Sequence, residues 1–427
     1  MQVTRRVFLK RSLAAGGALA FPWVVPARAV VASERITLGV IGFGPRCHHV
    51  LGCMLAEKDV QCVAVCDVQA SRRKDAKTTV DRHYGNQDCA TYRDFRELLA
   101  RPDIDAVAIE TGDRWHAPAS ILAAKAGKDV YCEKPCTMSI AEGAVLEETM
   151  QRYGRVYQAG TQRRSIGNFH RAVQLAHTGK LGKVHTLHAS VIRPRVRYDY
   201  LPAEAEPVRD VVDWDLWLGT APWRPYNHRY IAGDWRSHYD FDAGVQLLEW
   251  GVHTVDLCQW ANKSDETAPL VYEASRDKLT AKYANGVTLS MDYLDNAFGN
   301  RSPQFQTRLG TCPVRFEGNE GWVETGDSGE IEVYPASLRS ELRELMARRA
   351  GTDAGSHVRN FLDCIKSRAQ TAANPTVMRH SHLACHAAVA AWLLGRKITL
   401  DPVREIFVND EQANRLRSRA YREPWIL

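Results

Sequence analysis

The sequence contains no apolar run approaching the roughly 20 residues that a membrane-spanning helix needs, so an integral membrane span is not expected. Neither an internal repeat nor a low-complexity tract appears in its 427 residues, which sets aside solenoids and extended disorder. No Cys-x-x-Cys pair occurs among the eleven cysteines, an odd number. Cys62, Cys66 and Cys258 sit in apolar surroundings and read as small buried side chains, not as a disulfide framework or a structural zinc set. Charge of one sign is also wanting. Arg5, Arg6, Lys10, Arg11 and Arg28 fall within the first 29 residues, which hold no acid, and beyond them 51 basic residues face 50 acidic ones. That balance offers no footprint for a phosphate backbone, so nucleic-acid binding is not expected. His48-His49 and His380-Ser381-His382 lack a placed carboxylate and read as exposed or helix-packing residues; no metal is assigned.

The length suits two domains, and 45% hydrophobic with 25% charged residues suits a soluble globular protein. The N-terminus reads as an address. Thr4-Arg5-Arg6-Val7-Phe8-Leu9-Lys10 is followed by a weakly apolar stretch over 13–25 and by Ala27-Arg28-Ala29. Basic, then apolar, then Ala-x-Ala is the order of a signal peptide, and the paired arginines resemble a twin-arginine signal. The competing reading is an anchor or an amphipathic first helix, which Gly16, Gly17 and Pro22 argue against. Residues 1–29 are therefore expected to be cleaved near Ala29, with export to the periplasm or beyond. Twin-arginine systems carry folded proteins, so any cofactor loaded in the cytoplasm would travel as cargo.

From Arg35 onward short apolar strands alternate with helical stretches. Ile36–Ile41, Val60–Cys66, Ala106–Ile109, Asp129–Cys132 and 156–159 read as strands, and 117–126 and 141–153 as helices. That rhythm predicts a parallel, doubly wound sheet over 33–160. Beyond Thr161 it changes. A helix near 169–177 and a strand over Val184–Val191 precede an irregular stretch to about 242, then a helix from about 245 to 261. The β-like runs between 270 and 334 are separated by Asn285-Gly286, Gly318-Asn319 and Gly326-Asp327, which predicts a mostly antiparallel second sheet within an α/β domain over 161–427. Helices near 357–367 and 381–394 follow.

Strand Ile36–Ile41 runs into Gly42-Phe43-Gly44-Pro45-Arg46-Cys47, where glycines allow a tight turn and close approach to a pyrophosphate at a helix N-terminus. Cys47 stands where a third glycine is expected. The next strand ends at Asp67, placed to accept hydrogen bonds from an adenosine ribose and to repel a 2′-phosphate. This favours NAD over NADP, although Arg72 and Arg73 keep NADP open; Asp67 as a helix cap ahead of Ser71 is the structural alternative. Thr111, Asp113, Trp115 and His116 follow the third long strand, and Glu133-Lys134-Pro135 the fourth, at the edge where open α/β sheets bind ligands.

Together the Gly-x-Gly turn, Asp67, Trp115-His116 and Glu133-Lys134-Pro135 resemble the glucose-fructose oxidoreductase / inositol dehydrogenase family (Gfo/Idh/MocA). The likeness continues through 158–165, Trp214–Gly219, Glu249-Trp250-Gly251-Val252-His253 and 421–425. It implies an N-terminal Rossmann domain, a C-terminal domain whose large open sheet often joins subunits, and hence a homo-oligomer. It also implies NAD held by Gly42, Phe43, Gly44, Pro45, Arg46, Asp67, Thr111, Asp113, Trp115, His116, Glu133 and Lys134.

Oxidising a carbinol needs a hydride acceptor and a base. His253 is the natural base, since an imidazole exchanges a proton near neutral pH. Glu249 and Asp256, four before and three after it, share a helix face with it and can orient it. Glu249 departs from the aspartate usual in the family. Lys134 would stabilise a developing alkoxide. Arg163, Arg164, Trp235, Arg236 and Tyr239 are candidate carbohydrate contacts, and six of the eleven tryptophans fall between Trp214 and Trp260, although any one of them suits a core. The expected activity is oxidation of a sugar, glycoside or polyol with a retained nicotinamide. A redox-neutral glycosidase or lyase and a non-catalytic sugar or nucleotide binder are the alternatives.

Overall fold

The computed structural model describes residues 35–293, 309–346 and 353–425; the expected signal segment and residues 426–427 lie outside them. The described residues from Ile36 onward belong to one compact unit. Its first layer is β1 (Ile36–Ile41), α1 (Pro45–Leu55), β2 (Val60–Cys66), α2 (Ala70–Tyr84), β3 (Ala90–Tyr92), α3 (Phe95–Leu99), β4 (Ala106–Ile109), α4 (Asp113–Lys125), β5 (Asp129–Cys132), α5 (Ile140–Arg152) and β6 (Tyr157–Ala159). The six strands are parallel, in the order β3-β2-β1-β4-β5-β6. β4 and β5 are buried at every position, as in a sheet covered on both faces, and so read as short apolar runs in the sequence. The order reverses between β1 and β4, which opens a crevice beyond their C-terminal ends. β3 has no apolar run of its own, and periodicity alone does not reveal it.

After a 3-10 turn over Gln162–Ser165 come α6 (Gly167–His177), β7 (Val184–Val191), α7 (Trp214–Leu218), an irregular turn over Tyr230–Asp234, and α8 (Leu247–Ala261). β8 (Val271–Ala274), β9 (Lys278–Lys282), β10 (Thr288–Tyr293), β11 (Val314–Gly318), β12 (Trp322–Thr325) and β13 (Ile331–Tyr334) follow. The chain then forms α9 (Leu338–Met346), α10 (Asp353–Ser367), α11 (Pro375–Leu394), β14 (Ile398–Asp401), β15 (Ile406–Phe407) and α12 (Glu411–Asn414). The second sheet has nine strands in the order β13-β12-β11-β7-β10-β9-β8-β14-β15, antiparallel except for the β7–β10 pair. Gly286 turns β9 into β10 with φ +87°, as its Asn-Gly signal predicts.

α8 lies between this sheet and α11. Leu247, Val252, Val255 and Cys258 join Leu187, Val191, Leu289 and Leu383 in the largest apolar core. That packing fixes the rotation of α8, and with it the direction in which His253 points. The cysteines are all free; ten are buried and Cys53 is half-buried.

Candidate active site

The Gly42–Gly44 turn is built for close approach. Gly42 has φ +89°, and a Cβ there would lie 2.7 Å from the Glu110 carbonyl oxygen. A Cβ on Gly44 would meet only Arg72, at 4.0 Å, so this glycine faces open space. Pro45 opens α1, and no side chain caps its N-terminus, which leaves the first-turn N–H groups to an anion. Asp67 does not cap α2. Its Oδ2 accepts from the Phe43 N–H at 2.8 Å and its Oδ1 from the Gln69 N–H at 2.9 Å, so it braces the glycine turn. Burial pushes its carboxyl upward, opposed by Arg72 and by these two N–H donors. A carboxylate keeps lone pairs beyond two such bonds, so the ribose role remains open to it.

At the ends of β4 and β5 polar side chains are packed tightly. Glu133 is buried; its Oε1 accepts from Gln162 Nε2 at 2.5 Å and from Arg46 Nε at 3.3 Å, and its Oε2 from the Lys134 N–H at 3.0 Å. Gly160 is required behind it, because a Cβ would lie 2.8 Å from the carboxyl group. His116 places Nδ1 2.6 Å from the Pro135 carbonyl and Nε2 3.1 Å from that of Thr111, tying the β4 and β5 loops together. From α11, His382 Nε2 accepts the Cys136 N–H at 2.8 Å, so its Nδ1 carries the proton toward the Met378 carbonyl at 2.8 Å. The histidines of α11 thus support the Lys134 loop.

α8 enters through strained backbone: Val245 and Gln246 have φ of +48° and +74°, which a β-branched residue rarely tolerates. Asp242 holds this turn, accepting from the Gly244 and Gln246 N–H groups at 2.9 and 3.0 Å and from the Ser237 N–H at 2.8 Å. Asp113 accepts from the Ala243 N–H at 2.9 Å, which links the first sheet's edge to the entry of α8. Burial, with Asp242 nearby, pushes Asp113 up to about 7.

His253 is fully enclosed. Its Nε2 lies 3.2 Å from Arg163 Nη1, and since a guanidinium only donates, Nε2 accepts and Nδ1 carries the proton. Burial and then Arg163 hold the imidazole well below its ordinary range, as a neutral base. Lys134 Nζ donates to the Glu249 carbonyl and stands 5.4 Å over the Trp250 ring; burial lowers it from the ordinary lysine range. Arg163 is anchored by Asp327 at 2.7 and 3.1 Å.

Two cavities meet here. One, of about 390 Å³, runs from the glycine turn past Asp67, Gln69 and Arg72 to Trp115, Leu216, Trp217 and the 231–236 strap. The other, of about 290 Å³, is lined by Lys134, His253, Asp113, Glu249, Trp250 and Arg163 among others. Arg46, Glu110, Thr111, Trp235 and Arg236 line both. The structure thus brings Gly42, Gly44, Pro45, Arg46, Asp67, Thr111 and Trp115 to the first cavity, and Asp113, His116, Glu133, Lys134, Arg163, Glu249 and His253 to the second.

Five expectations need correction. Asp256 does not orient His253: it is bound by Arg164 at 2.6 and 2.9 Å and by Ser381 at 2.6 Å. Arg164 is correspondingly consumed by Asp256 and Asp265 in a buried ion cluster and faces neither cavity. Tyr239 packs on Tyr198 beneath Arg419, away from both cavities. Glu249 pairs with Arg236 and not with the imidazole, so its link to the site is the carbonyl that receives Lys134. Phe43 lines neither cavity: its N–H is donated to Asp67 and its ring packs on His48. Among the clustered tryptophans, Trp214 stacks on Trp217 with Tyr226 and Tyr230 in an aromatic core, and only Trp217, Trp235 and Trp250 reach a cavity.

Sequence reasoning missed Glu110, which lies between two named motif residues. It also missed the strap at Ile231–Gly233, which has no local signature. Among the described residues no three His, Cys, Asp or Glu side chains gather as a metal set, and no helix is long and apolar enough to cross a membrane.

The parallel sheet with its glycine turn at the switch point, joined to an open antiparallel sheet, defines a Rossmann-type α/β oxidoreductase architecture. Residues 36–161 match the oxidoreductase family's NAD-binding Rossmann fold, and residues 199–427 that family's C-terminal alpha/beta domain. The chain belongs to the Gfo/Idh/MocA oxidoreductase family. It is 29% identical to the myo-inositol 2-dehydrogenase of Thermotoga maritima over 218 residues, covering 50% of this chain and 59% of that protein. It is 30% identical to a glycosyl hydrolase family 109 protein of Saccharopolyspora erythraea, covering 42% and 44%. In general it spans about half the length of the curated relatives it matches. The WlbA dehydrogenase of Bordetella pertussis, solved with NADH and UDP-GlcNAcA, shares the fold with a TM-score of 0.61 at 17% identity, covering 86% of this chain and 99% of that one.

Proposed function

We propose that the protein is an NAD-dependent oxidoreductase acting on a CH–OH group of a sugar, glycoside or polyol, with the nucleotide retained between half-reactions. One observation carries this: the cavity at the glycine turn and the cavity holding Lys134 and His253 share five lining residues, so a bound dinucleotide and a substrate would meet at their junction. The Gly42–Gly44 cradle and the open N-terminus of α1 fit a pyrophosphate, and the nucleotide when bound supplies a hydride acceptor. Asp67 beside the turn favours NAD.

The residues of the chain do the rest. The substrate hydroxyl takes the place of Arg163 at His253 Nε2, and the neutral imidazole accepts its proton. The Lys134 ammonium, aimed by the Glu249 carbonyl, donates to the oxygen as negative charge develops, in a cavity walled in part by Trp235 and Trp250. A second reading, redox-neutral cleavage of a glycoside, is favoured by the likeness to the family 109 glycosyl hydrolase. Export of the folded, loaded protein, a two-domain division near residue 160 and assembly through the nine-stranded sheet complete the proposal.

The test uses a panel of inositols, aldoses and glycosides deuterated at the carbinol carbon. Deuterium recovered on the nicotinamide with a ketose or lactone product supports oxidoreduction. Solvent deuterium entering beside the oxidised carbon, with no net nucleotide reduction, supports cleavage. Neither outcome across the panel, with nucleotide bound, would leave a binding protein.

A further inference from the structure

Glu110 follows β4, is 7% exposed, and lines both cavities. Neither of its carboxyl oxygens has a hydrogen-bond partner among the described residues, whereas its neighbour Glu133 has three donors. A buried carboxylate without partners is costly, and burial together with the Glu133 charge holds Glu110 well above the ordinary carboxylate range, against Arg46. The group is thus buried, unsatisfied and sited where the two cavities join.

We propose that Glu110 is a redox-linked proton site: ionised against an oxidised, cationic nicotinamide and protonated against the reduced, neutral one. The inference rests on the dinucleotide reading above. When a carbinol is oxidised, its C–H bond breaks with the hydride going to the nicotinamide, and its O–H bond gives up a proton. The ring loses its positive charge, and the proton first taken by His253 passes to the Glu110 carboxylate through the second cavity, which both residues line. Carbonyl compound, reduced nucleotide and carboxylic acid together hold every atom and charge of alcohol, oxidised nucleotide and carboxylate. Because the proton stays in the site, the reverse half-reaction can return hydride and proton to a second substrate without exchange with solvent.

Several other titratable groups face this position. Glu133 and Tyr131 come from β5 and its end, and Arg46 and Cys47 from α1, with Asp67 beyond them. Across the second cavity stand Asp113, His116, Lys134, Arg163, Arg236, Glu249 and His253. All of these groups remain in Glu110→Gln, so a pH-dependent affinity ratio that is lost in the variant requires the Glu110 carboxyl.

The experiment measures Kd for NAD⁺ and for NADH as a function of pH in the wild type and in Glu110→Gln. The wild type should favour NAD⁺ over NADH increasingly as pH rises, by about tenfold per pH unit while binding of the cation forces Glu110 to ionise. Glu110→Gln should bind both nucleotides with a nearly constant ratio. Equal pH slopes in the two proteins, or a flat ratio in the wild type, would overturn the proposal. Calorimetry of the wild type in buffers of different ionisation enthalpy tests it without any variant: about one proton released on binding NAD⁺ and none on binding NADH is expected, and equal release contradicts it. If the wild type bound neither nucleotide, the dinucleotide reading itself would fall, and this one with it.

Discussion

Arg163 and His253 meet in the wall of the second cavity, with Nη1 3.2 Å from Nε2. A guanidinium held by Asp327 therefore fixes the tautomer of the imidazole and, after burial, does most to keep it neutral. Removing the cation in Arg163→Gln should let the His253 pKa rise toward its ordinary value. His253 must be neutral to act, so activity is lost as pH falls through its pKa. The acidic limb of the kcat/KM profile should therefore lie at higher pH in the variant than in the wild type. An unmoved limb would separate His253 from proton transfer.

Lys134→Met should lower turnover by about 10²–10³, the scale on which a single oxyanion donor contributes. Its nucleotide Kd should change little, because the glycine turn is untouched. A variant that loses nucleotide binding while keeping kcat at saturation would reassign Lys134 to the cofactor.

Gly42→Ala places a Cβ 2.7 Å from the Glu110 carbonyl at φ +89°. The strain should cost on the order of 1–3 kcal/mol and splay the turn. Thermal unfolding and nucleotide binding should therefore both deteriorate. Wild-type affinity would show that the turn is not the pyrophosphate cradle.

Asp113 carries a sharp pH prediction. Its folded pKa of about 7 lies above the ordinary value of 3.8, so the native state binds the extra proton between these limits. Stability supplied by the protonated form is complete below about 4 and is lost as pH rises toward 7. Asp113→Asn keeps an acceptor for the Ala243 N–H and should flatten that part of the stability curve, as followed by denaturant unfolding at each pH. An unchanged slope would place the titration elsewhere.

Much of the fold was legible because buried parallel strands write themselves as apolar runs: β1, β2, β4 and β5 fall where the sequence places them. β3 escaped because two half-buried residues around the exposed Thr91 carry no such run. At the site, motifs next to strand ends were legible because topology alone brings them to one edge. Helical spacing was less informative. Asp256 does share α8 with His253, but what a buried carboxylate pairs with depends on chains distant in sequence, here Arg164 and Ser381. Glu110 went unread because an acid after an apolar strand looks like the start of a loop, and only packing shows it to be enclosed.

That correction can be checked. Arg164→Met leaves Asp256 buried without its main partner and should destabilise the protein by about 3–5 kcal/mol in denaturant unfolding. The pH profile of the folded enzyme should keep its shape. A displaced profile with little change in stability would restore Asp256 to the His253 site.

The central claim is that a dinucleotide occupies the crevice between the glycine turn and the Lys134–His253 cavity. Its most direct test is to denature the purified protein and quantify the released nucleotide by chromatography. The account predicts near-stoichiometric NAD or NADH. A protein that releases none, and that then fails to bind either nucleotide when it is added, would contradict it.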